Sequence, residues 1–247
     1  MKHLALVVVL AMALAAQPAR ASGIGGFNLT WGTGCWPANP ATLSTSACDS
    51  NDGSVSFTAS FLQYPDLSVF YGVSAYVDLQ SDSAELPDWW QLTDPGGCRQ
   101  GSLSVSFDAT ATWRGCADPR QGHPSSFEGM VWRTAAFPPY GGTMAPNRAS
   151  LYLRYTMDPP VTHLPGGVEY YAFTVTIDMA KTVGPGACGG CSTPVTIVLN
   201  DIYVIGGLHL TTPLNNQCLR WQAGGVTPCS ATPTRSGTWG MLKSLYR

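Results

Sequence analysis

Charge is what this 247-residue chain has least of: Asp, Glu, Lys and Arg make up 11% of it, and the formal net charge is −2. That share is under half the roughly 25% usual for a soluble domain. With no basic field to attract phosphates, nucleic acid is not an expected partner. Long apolar runs are also scarce. The longest, Leu4–Ala16, has 13 residues, short of the about 20 needed to span a bilayer. The HExxH, GxSxG, GxGxxG and P-loop patterns do not occur, so no catalytic residue, cofactor or metal is expected from a motif. A triad assembled from distant loops would leave no such mark.

The Leu4–Ala16 run follows Met1-Lys2-His3 and precedes Ala19-Arg20-Ala21. A short basic start, an apolar stretch and a small-x-small site read as an export signal cleaved between Ala21 and Ser22. Removal of Lys2 and Arg20 leaves 11 basic against 15 acidic residues, net −4. The expected address is the periplasm, the cell surface or the medium, with no membrane span in the mature chain. All eight cysteines lie beyond the signal: Cys35, Cys48, Cys98, Cys116, Cys188, Cys191, Cys218 and Cys229. An even count in an exported chain reads as a disulfide framework. Sequence cannot select among 105 connectivities, but closeness along the chain favours Cys35–Cys48, Cys98–Cys116, Cys188–Cys191 and Cys218–Cys229.

Alternation of apolar and polar residues predicts strands. It runs through 55–61, 69–79, 103–113, 151–157 and 171–179, while 194–205 is apolar on both faces in parts and reads as a central strand. A short strand fits 130–136. Turn clusters such as Asn51-Asp52-Gly53, Pro165-Gly166-Gly167 and Gly184-Pro185-Gly186 separate the runs. Strands without intervening helices point to an all-β antiparallel sandwich, jelly-roll or immunoglobulin-like. The expected division is a signal at 1–21, a sandwich domain at 22–212 and a polar tail at 213–247. That tail ends in a short amphipathic helix led by Thr238, with Trp239, Leu242, Leu245 and Tyr246 on one side. It reads either as docked on the domain or as a sorting tag.

Several segments together resemble one family. They are Val77-Asp-Leu-Gln80, Leu86-Pro-Asp-Trp-Trp90, Cys98-Arg99-Gln100, Glu169-Tyr-Tyr-Ala-Phe173, Ala187-Cys-Gly-Gly-Cys191, Ile197-Val-Leu-Asn200 and the ending Thr238-Trp-Gly…Lys243-Ser-Leu-Tyr-Arg247. The chain resembles a family of uncharacterised secreted bacterial β-rich proteins with this type of C-terminal ending. The resemblance implies export and one β-rich domain, and it implies no activity.

Three functions compete. The first is a non-catalytic exported protein with a binding, adhesion or structural role, its partner an extracellular glycan or protein. It rests on low charge, Ser/Thr-rich outward strand faces and the cysteine framework. The second is a carbohydrate-active enzyme or binding module at Trp89 and Trp90, with Glu85 and Asp88 beside them and Asp82 and Asp94 nearby. Flat rings stack on pyranose faces, and paired acids can cleave a glycosidic bond. Two carboxyls about 5–10 Å apart in an aromatic cleft would mark the enzyme, whereas a flat or filled surface would mark binding or structure. The third is a thiol redox centre at Cys188 and Cys191, against which stands a structural disulfide between strands. Asp49-Ser-Asn-Asp-Gly53 reads as a turn rather than a calcium loop. Asn28-Leu-Thr30 is a formal glycosylation sequon, and His209 reads as a strand residue.

Overall fold

A computed structural model describes residues 25–36, 40–109, 115–135 and 144–223. The export signal expected at 1–21, Cys229 and the helix expected from Thr238 lie outside the described residues. Those described are nearly all β. The strands are β1 (Gly25–Trp31), β2 (Leu43–Ser44), β3 (Ser54–Gln63), β4 (Phe70–Ser81), β5 (Leu103–Ser106), β6 (Phe127–Thr134), β7 (Arg148–Val161), β8 (Glu169–Asp178), β9 (Val195–Ile205), β10 (Leu208–Leu210) and β11 (Cys218–Trp221). One short 3-10 turn, Asp88–Trp90, interrupts them. Among the described residues no helix is long and apolar enough to cross a membrane.

Two sheets share one core. The smaller runs β1-β3-β8-β5, and the larger runs β2-β11-β9-β4-β7-β6 with β10 on β9. Pairing is antiparallel except between β2 and β11, which makes the larger sheet mixed. Phe61 of β3 stacks near Phe70 of β4 (6.3 Å between centroids), so the inner faces meet through aromatic rings. The alternating runs explain this directly: Leu151, Leu153, Tyr155 and Met157 all turn inward from β7 and are buried. The doubly apolar run does become β9, flanked by β11 and β4. The strand expected around 130–136 is β6.

Three readings need correction. The strand predicted over 103–113 leaves the sheet after Ser106. There the Asp108 amide donates to Ser106 Oγ (3.2 Å) and the Asp108 carboxylate pairs with Arg120 (3.0 Å), so local polar bonds outcompete the ladder. The polar tail does not begin at 213, because Cys218–Trp221 is hydrogen-bonded between β9 and β2 and Trp221 is fully buried. The Ser/Thr faces are not simply solvated. On the smaller sheet Thr58 and Thr174 are buried and hydrogen-bond each other (2.9 Å), and Thr58 also donates to the Gly32 carbonyl (2.8 Å).

The disulfides overturn the local pairing. The bonds are Cys35–Cys116, Cys48–Cys191 and Cys98–Cys188, with sequence separations of 81, 143 and 90. Cys35–Cys48, Cys98–Cys116 and Cys188–Cys191 are therefore not formed. Cys218 is disulfide-bonded, and its expected partner Cys229 is outside the described residues. Antiparallel sheets bring together segments far apart in sequence, and distance along the chain says nothing about which ones.

Candidate functional site

The loop favoured from sequence is packed shut. Trp89 and Trp90 are both fully buried, at 0% exposure. The Trp89 indole stacks with Trp221 (5.5 Å, 18°), carries the Arg99 guanidinium 3.7 Å over its ring, and donates through Nε1 to Thr182 Oγ1 (3.0 Å). Trp90 meets Trp221 edge-on (5.8 Å), and Trp31 completes a four-indole cluster (6.0 Å to Trp221). No ring face is left for a sugar, which corrects the reading of Trp89 and Trp90 as a stacking platform. Glu85 and Asp88 stay exposed beside the cluster. Arg99 is fully buried, and that burial pushes its pKa down to about 10, with Asp178 opposing.

Cys188-Gly-Gly-Cys191 forms the clamp over these indoles. Its two cysteines bond separate distant loops, so they do not make the vicinal dithiol that the redox reading requires. Gly189 accepts a bond from the Trp89 amide (2.9 Å), and the Cys191 carbonyl accepts one from Trp221 Nε1 (2.6 Å). Gly190 has φ +102°, and a Cβ there would sit 2.2 Å from Pro87 Cβ, so glycine is required. Asn51, in the segment compared with a calcium loop, instead accepts the amides of Thr182 and Val183 (2.7 and 2.9 Å). Among the described residues no group of three or more His, Cys, Asp or Glu is placed to hold a metal. Asn28 of the sequon is buried and donates to Glu169 Oε1 (2.9 Å).

Beside the indole cluster lies a cleft of about 300 Å³ lined by Glu85, Gln91, Asp94, Gly96 and Thr134. Asp94 is buried. Desolvation raises its pKa, while the Thr134 hydroxyl (3.0 Å to Oδ1) and the Trp132 side chain pull it back.

The other candidate is the outer face of the larger sheet, where strand register assembles two adjacent rows. One row holds Val131 (β6), Tyr152 (β7), Tyr76 (β4) and Asp201 (β9). The next holds Gly129, Arg154, Ser74, Tyr203 and, on β10, His209. Neighbouring strands lie about 4.8 Å apart, and the Tyr76 and Tyr152 rings are 4.8 Å apart at 40°. Tyr203 and His209 form a second ring pair at 6.0 Å, and His209 Nε2 lies 3.1 Å from Asp201 Oδ2. Tyr76 is 39% exposed, Tyr203 45% and Phe127 54%. Partial burial raises the pKa of the Tyr76 phenol, Tyr152 adds to this, Arg133 opposes it and Asp201 contributes last. The phenol therefore remains a hydrogen-bond donor at neutral pH.

His209 is the strand residue expected from its neighbours. The tyrosines were not singled out from sequence, although a signal existed. Tyr76, Tyr152 and Tyr203 stand at positions where alternation calls for polar residues, and a bulky ring there must face outward. No family model and no curated protein matches this chain. Fold and surface together define a disulfide-stapled, nearly all-β protein with an aromatic and polar sheet face.

Proposed function

We propose that this protein is a non-catalytic exported β-sandwich that serves as a binding or adhesion module at the cell exterior, gripping extracellular glycan with the outer face of its larger sheet. The export signal at 1–21, the cysteine framework and the resemblance to secreted bacterial β-rich proteins support the location. The observation that carries the binding role is the double row of Tyr152, Tyr76, Tyr203 and His209, interleaved with Arg154, Asp201 and Ser74. Partly exposed rings offer apolar faces to pyranose C–H groups, and the Arg154 guanidinium and the tyrosine hydroxyls match sugar hydroxyls, while Ser74 is buried and Asp201 is held by His209. The strand spacing is close to the advance of one residue along an extended polysaccharide, so successive rings can meet successive sugars. Tyr76→Ala and Tyr152→Ala are each expected to weaken glycan binding by about 1–1.5 kcal/mol, roughly tenfold in affinity. Unfolding free energy should fall by no more than about 1 kcal/mol, the worth of one cross-strand ring pair. Glycan-array binding that survives both substitutions sinks this reading.

A second reading, carbohydrate hydrolysis, draws on the Asp94 cleft, where a buried carboxyl of raised pKa shares a lining with exposed Glu85. Asp94→Asn separates the two roles. Because the folded pKa of Asp94 is raised, its stabilisation is fully present below the usual 3.8 and is lost as pH rises through the folded value. The native protein should therefore gain stability on Asp94→Asn between pH 7 and pH 4, read by urea unfolding. Hydrolysis of a glycan that disappears in the same variant would establish the enzyme; a stability effect alone leaves Asp94 as the tether to Thr134.

A further inference from the structure

At one end of the double row the sheet face deepens into a cleft of about 420 Å³ between Phe127 of β6 and Tyr152 of β7. Its other lining residues include Gly129, Val131, Arg154 and Thr156. The Phe127 ring lies over Gly129, whose Cβ, if it had one, would sit 2.8 Å from Phe127 Cζ. Gly129 thus makes room for a ring that walls the cleft, with Tyr152 on the far side.

Among the described residues that line this cleft, Arg154 is the cation and none is a carboxylate. In register it stands between Gly129, over which the Phe127 ring lies, and Ser74, and its side chain is exposed. Among the described residues it makes no ion pair. The other cationic side chain on a nearby loop behaves differently: Arg120 is held by Asp108 (3.0 Å), Asp118 (3.7 Å) and Glu128 (3.8 Å). An unpaired arginine in an aromatic-walled cleft is the complement of a ligand that is flat, apolar on its face and negatively charged at its edge. The planar guanidinium fork matches a carboxylate in bidentate fashion better than it matches a lone hydroxyl.

Resting on the sheet-face reading above, we propose that this cleft takes a uronic acid residue of an acidic extracellular polysaccharide. The pyranose ring stacks against Phe127 and Tyr152, and its carboxylate meets Arg154. The sugars that follow run over Tyr76 toward Tyr203 and His209. A neutral polysaccharide would use the same rings and leave Arg154 unmatched. An acidic peptide would satisfy Arg154 but offer no pyranose face to the two rings.

The test is isothermal titration of the disulfide-intact protein with three probes: polygalacturonate, the same polymer after carboxyl reduction, and poly-glutamate. Polygalacturonate is expected to bind at least about tenfold more tightly than the other two. Arg154→Gln should remove that preference, and Arg154→Lys should restore only part of it, because an ammonium supplies charge without the fork. The preference should also shrink as salt is raised. Equal affinity for the carboxyl-reduced polymer overturns the uronate assignment while leaving the sheet face as a glycan surface. Poly-glutamate binding as tight as polygalacturonate also overturns it, in favour of an acidic protein partner. If none of the three probes binds, both the uronate assignment and the glycan reading fail.

Discussion

Replacing Trp221 with alanine is expected to lower the unfolding free energy by about 3–5 kcal/mol, the range for emptying a large aromatic site in a packed core. Trp221 is fully buried at the end of β11, a strand of four residues. Its ring touches Trp31, Trp89 and Trp90, at centroid distances of 6.0, 5.5 and 5.8 Å. Its Nε1 donates to the Cys191 carbonyl at 2.6 Å, so the indole also ties β11 to the Cys188-Gly-Gly-Cys191 segment. Three large rings cannot collapse easily into the space of a fourth, which places the loss toward the upper end of that range. Trp221→Phe keeps a ring and removes the donor, and it should cost about 1–3 kcal/mol through the stranded carbonyl and imperfect packing. Urea unfolding followed by tryptophan fluorescence reads both. A loss under about 1 kcal/mol for the alanine variant would mean the indoles do not form one packed unit.

The other large effect comes from the disulfides. Cys98–Cys188 and Cys48–Cys191 close separations of 90 and 143 residues. In the chain-entropy account, each constrains the unfolded chain by about 4–5 kcal/mol. The Cys98→Ser/Cys188→Ser pair should lower stability by up to that amount, and so should Cys48→Ser/Cys191→Ser. Removing both bonds should cost more than the sum of the two single-pair losses, because while one bond remains it shortens the loop that the other closes. Non-reducing peptide mapping checks the connectivity directly. A peptide linking Cys188 to Cys191 would contradict the clamp. The same mapping distinguishes a structural role from a redox one, since both cysteines should remain tied to their distant partners under mild reductant.

Strands were legible wherever one face is buried and the other is not. The period of two through 151–157 reports Leu151, Leu153, Tyr155 and Met157 facing the core of β7, with no need to know what they pack against. The same logic fails at β11. Cys218–Trp221 is short and sits among Asn, Gln, Thr and Pro residues, so its burial comes from β9 and β2 rather than from its own pattern. It fails again at 103–113, where Arg120, twelve residues beyond Asp108, draws the chain out of the sheet.

The candidate site shows the same division. Aromatics beside acids drew attention to Trp89 and Trp90, yet those rings are buried with Trp221, a residue more than 130 positions away. By itself, the sequence determined that this is a low-charge, cysteine-framed, strand-rich chain, because composition and alternation act locally. Only the tertiary structure decided which cysteines meet, and only strand register sets Tyr76 beside Tyr152 and Asp201 and leaves Arg154 unpaired next to Phe127. Pairing between strands joins residues by their place in the sheet, and nothing local in a single strand encodes its neighbour.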